Sequence, residues 1–156
     1  MQYWLFKTEP DAFSIDALMA MPKQTEHWDG IRNYQARNFL RDEVKLGDQV
    51  FIYHSSCKDV GIVGIAEVVK EGYVDHTQFD PESKYFDPKS PVDKPRWMMV
   101  DVQFKQQFSK ILPLKAIKNM PEITDIGLVK KGHRLSIMPV QHREFEYLLS
   151  RCQGTN

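Results

Sequence analysis

Between Gly47 and Lys70 the chain reads GDQVFIYHSSCKDVGIVGIAEVVK, two apolar runs with only a short polar turn between them. The Gly47-Asp48 turn opens QVFIYHS, a nearly continuous apolar strand, and Val60 to Lys70 supplies a second strand whose glycines permit bulging. Strands that follow one another this directly leave no chain for a helical crossover, which favours a mostly antiparallel sheet. That juncture argues against repeated βαβ units and for a mixed sheet.

Toward the N-terminus, Gln2 to Lys7 (QYWLFK) reads as a first strand and Thr8-Glu9-Pro10-Asp11 as a turn. Ser14 offers an N-cap to a short helix over Ile15 to Met21, which Pro22 stops. In HWDGIRNYQARNFLRDEV (27–44), Ala36, Phe39, Leu40 and Val44 fall at helical spacing, giving a helix that begins near Asn33. Toward the C-terminus, Tyr73 to Pro95 reads as a loop, because four X-Pro steps bias the preceding residues away from helix. A loop of that length in a small domain is functional or mobile. Arg96 to Phe104 (RWMMVDVQF) follows as a long strand, Leu114 to Asn119 as a short helix, and RLSIMPV (134–140) as the last strand. Gln141 to Leu149 closes the chain as a helix with Phe145, Leu148 and Leu149 on one face. This order predicts an α+β fold, a mixed, mostly antiparallel small β-barrel flanked by short helices, in one domain over residues 1–156.

The composition, 42% hydrophobic and 27% charged, is that of a soluble globular chain, and no apolar run reaches the roughly 20 residues that span a bilayer. No membrane role is expected. The first residues lack the basic and apolar blocks of a signal peptide, which makes the cytoplasm the default compartment. Cys57 and Cys152 form no CxxC pair and read as free thiols. The formal net charge of zero argues against indiscriminate coating of nucleic acid, yet it hides an asymmetry. From Gln103 to Leu135 there are seven basic residues against the two acids Glu122 and Asp125, whereas up to Val74 there are eight basic and eleven acidic. A locally basic third suits contact with a few phosphates, for which Lys130, Lys131 and Arg134 are the candidates.

Alternation along Arg96–Phe104 places Met98, Val100, Val102 and Phe104 on a core face and Trp97, Met99, Asp101 and Gln103 on a mixed face. Trp97 then either stacks against a ligand or covers an edge of the barrel. In Trp28-Asp29-Gly30-Ile31-Arg32-Asn33-Tyr34-Gln35, a glycine permits close backbone approach just before a helix start, a place for polar recognition. Asn33 can equally be the N-cap, and Arg37 and Arg41 a solvated basic edge. Tyr53-His54-Ser55-Ser56-Cys57 brings small polar groups to a strand end, but no orienting acid or oxyanion motif accompanies Cys57 and His54 as a nucleophile and base. The histidines show no HExxH pattern and no ligand spacing with the cysteines, so no metal is expected. No glycine-rich phosphate loop or nucleophile elbow is present either.

WLFKTEP (4–10), HWDGIRNYQARNFLRD (27–42), VFIYHSS (50–56), GIVGIAEVV (61–69), YFDPKSPVDKPRWMMVDV (85–102) and RLSIMPV (134–140) together resemble an EVE domain, over a span from about Tyr3 to Leu149. The resemblance implies a PUA-like barrel and a non-catalytic reader of modified bases, such as methylated or hydroxymethylated cytosine, in DNA or RNA. It implies that one flipped-out base enters an aromatic pocket formed by Trp28, Arg32, Asn33, Tyr34, His54, Ser55 and Trp97, with Leu135, Ser136 and Met138 as a further wall. The expected protein is a monomer without cofactor, cytoplasmic in a bacterium or nuclear in a eukaryote. A pocket for a nucleotide-like metabolite or peptide, and a nucleotide-modifying enzyme, stand as readings from other classes.

Overall fold

A computed structural model describes residues 1–153 of the chain. Six strands form one sheet: β1 (Tyr3–Thr8), β2 (Thr25–His27), β3 (Gln49–His54), β4 (Gly61–Val74), β5 (Met98–Pro113) and β6 (Ile137–Val140). Their order across the sheet is β2-β5-β4-β3-β1-β6. All neighbours run antiparallel except β1 and β3, which are parallel from Tyr3 opposite Gln49 to Thr8 opposite His54. β3 and β4, which succeed one another directly in sequence, pair antiparallel.

Both faces of the central strands are buried, which explains why β1 and β3 read as continuous apolar runs rather than alternating ones. Trp4, Phe6, Val50 and Ile52 point to one core, shared with Ile15, Leu18, Ala36 and Leu40. Leu5, Phe51 and Tyr53 point to a second, shared with Ile117, Phe145 and Leu148. The first core lies beneath α1 (Ile15–Ala20) and α2 (Tyr34–Asn38), and the second beneath α3 (Leu114–Lys118) and α4 (His142–Gln153). Ser14 caps α1 by accepting from the Ala17 amide at 3.1 Å, and Asn33 caps α2 by accepting from Ala36 at 3.0 Å. Beyond α2 the chain widens into a π-helical turn over Phe39–Glu43, so Leu40 and Val44 still reach the core. Buried Trp4 donates its indole N–H to Asp48 at 3.0 Å, tying β1 to the turn before β3.

Several features depart from the sequence reading. β5 runs to Pro113 rather than to Phe104, because a series of register shifts lets it follow β4 along its whole length. Met99, placed by alternation on a mixed face, is buried at 2% exposure. The sheet is also open where a closed barrel was expected, since β2 and β6 lie at opposite edges and do not pair. β2 offers only three ladder positions, and after His27 the chain turns away toward Gly30, whose φ is +80°. Too little edge remains there to complete a closing ladder.

Candidate functional site

The failed closure leaves a cavity of about 410 Å³, within the range of small-ligand pockets. One margin is the segment Glu26 to Ile31, which carries the chain off the end of β2, and the other is the end of β1, Lys7 to Glu9, with Ser136 just ahead of β6. Lys84 and Tyr85 cover the opening from the Pro-rich segment. The walls are aromatic. Trp28 is anchored against Phe6 (centroids 5.7 Å apart) and edge-on to Phe13 (6.2 Å), and Phe13 also lines the cavity. The Tyr85 ring lies over Gly30 so closely that a Cβ there would stand 2.5–2.7 Å from the ring atoms.

A buried carboxylate holds this arrangement. Asp75, fully buried, accepts from the Gly30 amide at 2.9 Å, from Arg32 Nη1 at 3.0 Å, and from the amide and hydroxyl of Thr77 at 2.8 and 2.5 Å. Burial works against its charge, but the bonds from Thr77, Gly30 and Arg32 outweigh it and hold the carboxyl below its ordinary range. Arg32 engages all five of its donors: two on the Tyr85 carbonyl at 3.0 and 2.8 Å, and one each on Ile31, Asp75 and Thr77. It is therefore a clamp that fixes Tyr85 over the cavity. Asp29, on the cavity wall, has the opposite perturbation: burial pushes its carboxyl up, with neighbouring His27 opposing.

Trp97 lies outside the cavity lining and is 5% exposed. Tyr34 stacks on its ring at 4.9 Å, the Arg32 guanidinium approaches it at 5.5 Å, and its indole N–H donates to Asp87 at 2.7 Å, holding that carboxyl down. Buried Gln78 bonds both the Trp97 amide and its carbonyl, and takes the Ser90 hydroxyl as well, so the Pro-rich segment is pinned at several points. Of the residues singled out from sequence, Trp28 and Ser136 line the cavity. Arg32, Asn33, Tyr34 and Trp97 form the layer beside it. His54 accepts the Ile15 amide on Nε2 at 3.1 Å, and Ser55 donates its amide to Thr8. Leu135 packs on the first core, and Met138 is fully buried in the second, on the far face of the sheet. Lys130 and Lys131 line a different hollow, and Arg134 is exposed. Among the described residues, no group of three His, Cys, Asp or Glu side chains is placed to hold a metal.

Sequence reasoning missed Tyr85, Phe13, His27 and Lys7 as lining residues. An aromatic residue within a long Pro-rich segment was the available signal for Tyr85.

Residues 2–151 match the EVE domain family. Human thymocyte nuclear protein 1 is 45% identical over 164 aligned positions, covering 95% of this chain and 72% of the human protein. A crystal structure of the human THYN1 protein in complex with DNA containing 5-methylcytosine superimposes with a TM-score of 0.87 at 42% identity, covering 97% of each chain. A protein from Pseudomonas syringae is 44% identical with a TM-score of 0.91, covering 96% of this chain and 98% of its own.

Proposed function

This chain belongs to the EVE domain family, and from that premise we propose that it is a non-catalytic reader of modified DNA bases that receives one flipped-out base in the cavity of the sheet seam. The observation that carries the reading is the aromatic cavity, in a chain alike over nearly its whole length to a human protein crystallised with 5-methylcytosine DNA. Trp28, Phe13 and Tyr85 present the apolar surfaces a base needs, and stacking contributes about 1–3 kcal/mol per base. That is comparable to the few kcal/mol that unstacking from a duplex costs, so a single strand or a weakened pair is the easier substrate. The carboxyl groups of Glu26 and Asp29 are acceptors suited to an exocyclic amine such as that of cytosine. Trp97, Tyr34, Asn33 and Arg32 support the wall, with the half-exposed ring of Tyr34 available to a neighbouring base. Lys130, Lys131 and Arg134 meet flanking phosphates, and one chain serves one nucleotide.

A methyl group moved from water into the cavity contributes about 0.8 kcal/mol, about a fourfold preference over unmodified cytosine. The test is a fluorescence titration of single-stranded oligonucleotides carrying cytosine or 5-methylcytosine at one position, with an RNA arm, against the wild type and Tyr85→Ala. Tyr85 is only partly buried, and Arg32 grips its backbone carbonyl, so the truncation leaves the clamp in place. The expected result is tighter binding of the methylated DNA and about a tenfold loss in the variant, equivalent to about 1.4 kcal/mol of stacking. Equal affinity for both strands, unchanged by Tyr85→Ala, would sink the reading.

A further inference from the structure

Lys130 and Lys131, assigned above to flanking phosphates, line a second hollow beside the base cavity. It has a volume of about 590 Å³ and adjoins the first cavity at Lys7, which lines both. Lys118 in the last turn of α3, Lys130 and Lys131 in the turn before β6, and His133 complete its cationic rim. None of its lining residues is acidic, and among the described residues none of these four lysines pairs with a carboxylate. The backbone builds the concentration of charge. The Lys7 amide donates to Ser136 at 2.8 Å, Lys7 lies opposite Tyr53 in the ladder, and a turn at Gly132 brings His133 back so that its amide meets the Lys130 carbonyl.

His133 is packed against Gly127, where a Cβ would collide with the imidazole, and its Nδ1 is buried with no hydrogen-bond partner. Such an atom is uncommon in a folded protein. The local field agrees with the geometry. Burial, Lys7 and Lys130 push the His133 imidazole down, and burial pushes the Lys7 ammonium down. Positive charge gathered in a concavity without acidic compensation focuses an attractive field for anions.

We propose that this hollow is a phosphate site, and that it takes the phosphodiester next to the nucleotide whose base occupies the first cavity. Its assignment to a DNA strand rests on the base-reading function; its preference for phosphate does not. Lys7 acts as the shared wall, so that base and phosphate are gripped on its two sides. This gives the chain a built anion site beyond loose surface contacts.

Three probes separate the possibilities by calorimetry and NMR at constant ionic strength: 5-methyl-2′-deoxycytidine, its 3′,5′-bisphosphate, and inorganic phosphate. Each is titrated into the wild type, into Lys118→Gln/Lys131→Gln, and into a control, Lys89→Gln/Lys94→Gln, whose lysines are exposed and line neither cavity. Lys118 and Lys131 are exposed, so both double variants keep the fold. The expected result is that the bisphosphate binds the wild type about tenfold more tightly than the nucleoside, that the gain is lost in the Lys118/Lys131 variant and kept in the control, and that nucleoside affinity is unchanged throughout. If the nucleoside fails to bind while inorganic phosphate still shifts the His133 imidazole resonances of the wild type and not of the Lys118/Lys131 variant, the phosphate site stands as one for free phosphate and base reading fails. No gain from the phosphates together with no phosphate-induced shift overturns the site, whatever the nucleoside does.

Discussion

Replacing Asp75 by alanine removes a buried carboxylate to which Gly30 and Arg32 beside the cavity are tied. The side chain is fully buried and accepts four hydrogen bonds, from Gly30, Arg32 and twice from Thr77. Removing one partner of a buried ion pair costs about 3–5 kcal/mol. Arg32 is 22% exposed and keeps its bonds to Tyr85, Ile31 and Thr77, so the loss belongs at the lower end, about 3 kcal/mol. In a chain of this size that lowers the melting temperature by about 6–12 °C. The pH dependence is the sharper signature. Because the folded protein holds the Asp75 carboxyl below its ordinary range, the stabilisation is complete above the unfolded value near 4 and is lost as pH falls through the lower folded value. The difference between wild type and Asp75→Ala, measured by urea unfolding from pH 7 down to pH 3, should therefore be largest at neutral pH and shrink in acid. Asp75→Asn keeps the shape without the charge and should fall between them. A difference below about 1 kcal/mol at pH 7, or one independent of pH, would refute the assignment of Asp75 as the electrostatic anchor.

Gly30 and Gly47 have similar positive φ values, +80° and +87°, but only Gly30 has a ring against it. Gly30→Ala should be less stable than Gly47→Ala by about 1–3 kcal/mol in paired denaturant melts, and only Gly30→Ala should weaken ligand binding. His54 is pushed down, chiefly by burial with Asp16 opposing, and its neutral ring accepts the Ile15 amide. Its contribution is present above the unfolded value near 6.5 and lost as pH falls through the folded one, so wild type should lose more melting temperature between pH 7.5 and 5.5 than His54→Gln; parallel curves would refute this. Trp97→Phe keeps the ring stacked on Tyr34 but removes the indole bond to the partly exposed Asp87, and calorimetry should find a loss of about 1 kcal/mol.

Elements whose cause is local were legible in the sequence. The caps at Ser14 and Asn33 and the direct succession of β3 and β4 follow from residue type and spacing. The C-terminal helix was placed but stopped early at Leu149, whereas burial of Cys152 against the second core carries it to Gln153. What depends on distant partners was not legible. Alternation cannot anticipate the register shifts that carry β5 along β4, nor the burial of Met99 and Trp97 by residues remote in sequence. Met138 shows the same limit, since a resemblance assigns a residue to a wall without its direction, and here the side chain points through the sheet to the other core. Sequence singles out Trp28–Tyr34 as one segment, but the separate places of its members, with Trp28 on the cavity and Arg32 clamping Tyr85, depend on the tertiary fold.

The two margins of the cavity, the end of β2 with the segment after it and the end of β1 with Ser136, belong to strands that do not pair with each other. A base seated between them would fasten the sheet like a clasp. Backbone amides along both margins would then exchange with solvent more slowly as occupancy rises, in step with each other and by an amount set by RT ln(1 + [L]/Kd). Occupation would thus join two unpaired margins into one cooperative unit, so that the ligand does for the domain what a seventh strand would have done.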